Sequence, residues 1–120
     1  MQAGQPEFSI SKQTLVDCEV ISLRGELDML TAPELFRTIE ALDGFPLVVD
    51  LSELTFIDSH GIHALMSAQD GREVMLVCPR GNVSRVLEIV QIGQKMTVYE
   101  QLDDLLAALN GGRTATRETV

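Results

Sequence analysis

Positive charge is scarce in this 120-residue chain: nine Lys and Arg stand against 18 Asp and Glu, a net charge of −9. That excludes binding to bare nucleic acid or to an anionic membrane, both of which call for basic patches. It suits a partner with a basic surface, where electrostatics speed encounter. A plain solubility role accounts for the charge equally well. Cysteine is limited to Cys18 and Cys78, each inside an apolar strand-like run. No short-spaced Cys/His set resembles a zinc site, and both cysteines read as buried small hydrophobes rather than a disulfide or redox pair. No apolar segment approaches the ~20 residues of a membrane span. Met1 to Pro6 has neither the basic start nor the hydrophobic stretch of a signal peptide, so a cytoplasmic location is expected. Repeats, heptads and low-complexity segments are missing. So is a Gly-rich phosphate loop, since Gly111-Gly112 matches no motif, and no cofactor or metal is expected.

What is present is an ordinary globular balance, 45% hydrophobic and 22% charged. The length suits one domain with a real core. We expect that domain over 1–120, with its core at residues 8–109 and flexible tails at 1–6 and 111–120. Phe8-Ser9-Ile10-Ser11 alternates as a half-buried strand, Thr14 to Asp17 suits a turn, and Cys18 to Leu27 forms a second strand, close enough to make a hairpin. Thr31-Ala32-Pro33-Glu34 announces a helix, with Thr31 as N-cap and Glu34 completing a capping box. Its apolar stripe is Leu35, Phe36, Ile39 and Leu42, and Asp43-Gly44 stops it. Leu47 to Leu51 is the central strand. Val74 to Cys78 reads as a strand covered on both faces. Asn82 is placed as the cap of a helix with stripe Val83, Val86, Leu87 and Val90, broken by Gly93. Thr97-Val98-Tyr99 is a short edge strand. Leu102, Leu105, Leu106 and Leu109 mark a last amphipathic helix, ended by Asn110-Gly111-Gly112. The order β-β-α-β-α-β-α-β-α predicts an α/β fold: a mixed sheet of four to five strands, largely parallel inside, with about four helices.

The stretch Asp50 to Ile62 carries the function. A buried strand precedes it, the chain is expected to turn, and Asp58-Ser59 falls at the first turn of a helix marked by Ile62, Leu65, Met66 and Ala68 and ending near Asp70-Gly71. Asp and Ser are favoured at that place because their oxygens accept from unpaired helix N–H groups. The same N–H groups and the helix dipole tolerate an anion such as phosphate. Either Ser59 or Asp58 is thus simply a helix cap, the commonest job for such residues, or Ser59 is a displayed phosphoacceptor. Gly61 supports the second reading, since glycine lets another chain approach closely. Ser59, His60, His63 and Asp58 suggest a hydrolase or a metal site only weakly. A G-x-S-x-G elbow is absent and no acid orients a histidine. His60 and His63 read as surface residues near a binding face. Glu26, Asp28, Asp50 and Asp58, at or near strand ends, are expected to form an acidic rim around Ser59. No apolar stripe is left over, so a monomer is expected.

Gly25-Glu26-Leu27-Asp28, Asp50-Leu51-Ser52 and Phe56-Ile57-Asp58-Ser59-x-Gly61-Ile62, at this spacing, resemble the STAS-domain anti-anti-sigma factors (anti-sigma factor antagonists) of bacteria. The likeness extends over residues 8–109. It implies a STAS-like sheet with helices mostly on one face. It implies that Ser59 matches the serine phosphorylated by an anti-sigma factor that is also a kinase, and that Asp28 and Asp58 flank the partner-binding face, with Glu26, Ser59, His60, Gly61, Ile62 and His63 belonging to it. In the family the unmodified protein binds the anti-sigma factor and frees a sigma factor for transcription. Phosphorylation ends that binding and a phosphatase restores it. ATP, Mg²⁺ and base would belong to the kinase, so the chain is expected not to be an enzyme. His60 stands where such proteins often carry Ser or Thr. The alternative implied by the same resemblance is an unphosphorylated STAS scaffold in a stress-signalling or ABC-type lipid-transport complex.

Overall fold

Leu47, Val48 and Val49 are fully buried at the centre of a five-stranded sheet. The computed structural model describes residues 7–42 and 46–109. The strands are β1 (Ser9–Thr14), β2 (Glu19–Leu27), β3 (Leu47–Ile57), β4 (Val74–Val77) and β5 (Thr97–Tyr99). They lie in sequence order, β1 antiparallel to β2 and the rest parallel. Each parallel step is bridged by a helix: α1 (Ala32–Glu40), α2 (Ser59–Ser67) and α3 (Asn82–Ile89). The sheet grows in one direction, and crossovers of one hand then put all three helices on one face. A last helix, α4 (102–109), follows β5. Its Leu105 is buried with Cys18, Val20, Val48, Met75 and Val77 against the opposite face. The main core, on the α1–α3 side, gathers Leu35, Ile39, Leu65 and Leu87 over Ile21, Val49, Leu51 and Leu76. This is the expected α/β architecture, three helices on one face and one on the other. The expected helix stops at Asp43-Gly44 and Asn110-Gly111-Gly112, and the tails at 1–6 and 111–120, lie outside the described residues.

The strand ahead of the site departs from expectation. β3 does not turn after Leu51 but runs on to Ile57. Its buried residues Leu51, Leu54 and Ile57 are spaced by three, a period that hides a strand. Two bulges explain it. Ser22 pairs with Asp50 but Arg24 with Glu53, and Gly25 pairs with Leu54 but Glu26 with Phe56, so β3 carries one extra residue at each step. Each insertion turns the next apolar side chain back toward the core. The first bulge is pinned by Asp50, whose carboxylate accepts from the Ser52 N–H at 2.9 Å and the Ser52 hydroxyl at 2.5 Å. At the second, Gly25 adopts φ of 100°, a left-handed value that disfavours side chains, and its carbonyl accepts from the Thr55 hydroxyl at 3.1 Å. Asp50 is therefore a bulge clamp within β3, not part of a rim around Ser59.

Other boundaries shift for local reasons. β1 extends to Thr14, so the hairpin turn is confined to the residues between it and β2, closed by the Leu15 N–H to the Cys18 carbonyl at 2.8 Å. α3 is capped at Gly81, not Asn82, with the Ser84 hydroxyl accepting from the Gly81 N–H at 2.8 Å. It gives way at Gln91, whose left-handed φ of 58° reverses the chain into a 3-10 turn, Ile92–Gln94, rather than at Gly93. α2 ends at Ser67, a little before Asp70-Gly71.

Both cysteines are buried and unbridged, as their apolar surroundings imply. Burial, and then the negative charge of Asp50, push the Cys78 thiol up to about 11 from its usual 9.0. The folded state therefore holds this proton more tightly than the unfolded chain. Stability from this group is complete below pH 9.0 and is lost as pH rises toward about 11. In urea titrations, Cys78→Ala will show a shallower loss of stability across that window than the wild type.

Gly61, in the first turn of α2, packs closely against the ends of β2 and β3. A Cβ there would lie 2.8 Å from Ile57 Cγ1, 2.8 Å from Leu27 Cγ and 2.9 Å from the Leu27 carbonyl oxygen. Two of those obstacles are core side chains and one is backbone, so none yields cheaply. Gly61→Ala is expected to cost about 1–3 kcal/mol of stability, read as a lower urea midpoint at unchanged slope.

Candidate functional site

The site lies where β2 and β3 end side by side. Leu27 pairs with Ile57, and the Asp58 N–H still donates to the Leu27 carbonyl at 3.2 Å. Crevices outside the carboxyl ends of parallel strands are where open α/β sheets place ligand sites. Each strand here delivers its chain into a helix whose free N–H groups need partners. Asp58, in extended backbone, caps α2. Its Oδ1 accepts from the His60 N–H at 2.9 Å and the Gly61 N–H at 3.3 Å.

Asp28 does the same before α1. Its Oδ1 accepts from the N–H groups of Leu30 at 3.0 Å and Thr31 at 3.2 Å, while the Thr31 hydroxyl accepts from the Asp28 N–H at 2.9 Å and donates to the Glu26 carbonyl at 2.7 Å. This is a capping box one turn earlier than expected. Thr31 is the third residue of this box and also stands, as expected, at the N-cap position of α1, but with helical backbone and no side-chain cap bond into α1. Glu34 consequently plays no reciprocal role. The sequence signal was there, since Asp28 and Thr31 stand three apart, but Thr31-x-x-Glu34 fits the same pattern and sits closer to the apolar stripe.

Ser59 follows Asp58 as the first residue of α2, exposed to solvent. Among the described residues its hydroxyl has no hydrogen-bond partner. Asp58 does the capping, which leaves Ser59 free, and this removes the reading of Ser59 as a simple cap. His60 and His63 are exposed beside it, with His60 Nδ1 at 3.6 Å from Asp58 Oδ1. No hydrogen bond aims His63 at the Ser59 oxygen. Among the described residues, no group of three or more His, Cys, Asp or Glu is arranged to hold a metal. Glu26 and Asp28 are half-buried at the end of β2, on the same edge as Asp58.

Two residues assigned to the partner face point elsewhere. Gly61 and Ile62 are buried, Gly61 against Leu27 and Ile57, Ile62 within the main core. The close approach that glycine permits is made by this chain's own sheet, not by another protein. What sequence reasoning missed lies next to them. Met29, Pro33 and Phe36 on one wall, and His60, His63 and Ala64 on the other, flank a groove of about 440 Å³ whose lining includes Ser59. Met29 is 60% exposed, Leu30 81% and Phe36 43%, so an apolar surface is left over after all. Phe36 was legible as apolar, but adjacent Leu35 and Phe36 cannot both point inward on a helix, and Leu35 takes the core.

Residues 9–105 match the model of the STAS domain, and the chain belongs to the STAS-domain family. Among solved structures it is similar to an anti-sigma factor antagonist from Mycobacterium paratuberculosis. That protein is 28% identical over 85% of this chain and 93% of that one, with a TM-score of 0.80. The fold is shared with the Bacillus cell fate determinant SpoIIAA in its phosphorylated form, at 18% identity, 86% and 99% coverage and a TM-score of 0.60. A sulfate transporter family protein from Wolinella succinogenes also shares it, at 18% identity, 81% and 88% coverage and a TM-score of 0.68.

Because Asp58 serves the helix, its replacement tests structure before it tests recognition. Asp58→Ala is expected to lower stability by about 0.5–2 kcal/mol, whereas Asp58→Asn retains an accepting oxygen and most of the cap. Thermal melts of the two variants side by side check this.

Proposed function

We propose that this chain is an anti-sigma factor antagonist switched at Ser59. In its unmodified form it binds an anti-sigma factor with serine kinase activity and so releases a sigma factor. A phosphate on Ser59 ends that binding, and a phosphatase resets it. The observation that carries this reading is the Ser59 hydroxyl: exposed, unbonded, and held at a fixed point of a helix by a neighbouring residue that does the capping. Membership of the STAS family and the likeness to the mycobacterial antagonist support it. The docking face we assign is Glu26, Asp28, Asp58, Ser59, His60 and His63, without the buried Gly61 and Ile62.

The physics of the switch is local. Phosphorylation adds about 1.5–2 negative charges and three acceptor oxygens. At the first residue of α2 that charge faces the positive end of the helix dipole, so the helix is not unfolded by it. It stands next to Asp58, with Asp28 following the neighbouring strand, and a docking partner covering this edge would have to desolvate these groups together. Binding is lost through charge and hydration, with the fold intact. The chain supplies the acceptor oxygen and the kinase supplies the chemistry.

Incubation with the purified cognate anti-sigma kinase and Mg-ATP is expected to add one phosphate, located at Ser59 by peptide mass spectrometry, with none added to Ser59→Ala. Modification of Ser59→Ala to the same extent would refute the assignment.

A further inference from the structure

The groove beside Ser59 is longer than a single side chain needs. One wall is Met29, in the turn before α1, with Pro33 and Phe36 of α1; the other is His60, His63 and Ser67, a stripe of α2 with three- and four-residue spacing. Phe36 and Ser67 also line a second hollow further along, which reaches Glu40, Asp70 and Arg72. The two share Phe36 and Ser67 in their lining, and we read them together as one trough between α1 and α2. α2 has nine residues, so at ~1.5 Å per residue the trough follows it for about 13 Å. Acidic residues stand at both ends: exposed Glu40 and Asp70 line the far hollow, and Asp28 and Asp58, which precede α1 and α2, stand outside the lining of the near one. The one arginine at the far end, Arg72, is engaged through its Nη2 with the Leu42 carbonyl at 2.8 Å.

We propose that this trough receives an amphipathic helix of the anti-sigma factor. About two turns of its apolar face would lie along Met29 and Phe36, and basic side chains at its two ends would meet the acidic pairs. The proposal rests on the reading of Ser59 as the switch and adds the shape of the partner. An apolar trough with acidic ends selects a helix that is apolar in the middle and basic at the ends. It also accounts for the reach of one phosphate. A dianion at the mouth of the trough must be desolvated whenever the partner helix enters, even though most of the contact lies elsewhere.

The test measures binding of the purified anti-sigma kinase to the unphosphorylated full chain by calorimetry. Phe36→Glu and Met29→Glu place a charge on a partly exposed trough wall and leave Ser59 and its capping neighbour Asp58 unsubstituted. Each is expected to weaken binding about tenfold or more, with thermal melts close to wild type. Asp70→Lys is expected to weaken binding less and to flatten its salt dependence. If Ser59→Glu blocks binding while both wall variants bind like wild type, the trough is not the seat of the partner and the Ser59 reading stands alone. If Ser59→Glu and the wall variants all bind like wild type, the Ser59 reading fails and the trough proposal falls with it. If the chain alone sediments as a dimer that Phe36→Glu dissociates, the occupant is a second copy and the proposal is overturned.

Discussion

Everything at this site depends on one backbone contact: the first turn of α2 lying directly on the ends of β2 and β3. Gly61 has no room for a side chain there, hemmed in by Leu27 and Ile57. Asp58 ties the same turn from the other side by taking two of its free N–H groups. Between packing below and capping at the start, the helix has little freedom to tilt or fray. Ser59 is the first helical residue between these two restraints, so its oxygen is presented in a reproducible place. A kinase needs an acceptor delivered at constant geometry, and a partner that senses one charge needs that charge fixed against a rigid background.

The electrostatics follow the same division of labour. Asp58 and Asp28 each commit one carboxylate oxygen to helix amides, which fixes them in position. Neither is free to swing away when a third anion arrives. On the switch proposed above, the face would be acidic and attractive to a basic protein before modification and crowded with charge after it, and both consequences would come from one arrangement of residues.

Much of this was legible in the sequence. The β-branched run at Leu47–Val49, the leucine spacing of α4 and the Asp-Ser pair before an apolar helix each follow from local rules. What was hidden has identifiable causes. The continuation of β3 was concealed because two bulges replace its two-residue alternation with a three-residue one. Thr31 does stand at the N-cap position of α1, but the reciprocal side-chain bonds expected between Thr31 and Glu34 are made between Asp28 and Thr31, because two overlapping patterns compete. Gly61 was read as an opening toward another protein. Glycine reports only that something comes close, and the identity of the neighbour is a tertiary fact. The trough was missed for a related reason: an apolar stripe wider than the core can absorb does not announce which of its members stays outside.

The bulges also make β3 a spacer with an adjustable phase. Its first half is locked in register with β4, from Leu47 opposite Val74 to Asp50 opposite Val77, while its second half answers only to β2. Losing one of the surplus residues near Ser52 would leave the inner ladder untouched yet invert every side chain downstream, carrying Asp58 and its serine to the wrong side of the sheet. The strand therefore acts as a measured stalk, and its length in residues, as much as any single side chain, decides where the hydroxyl comes to stand.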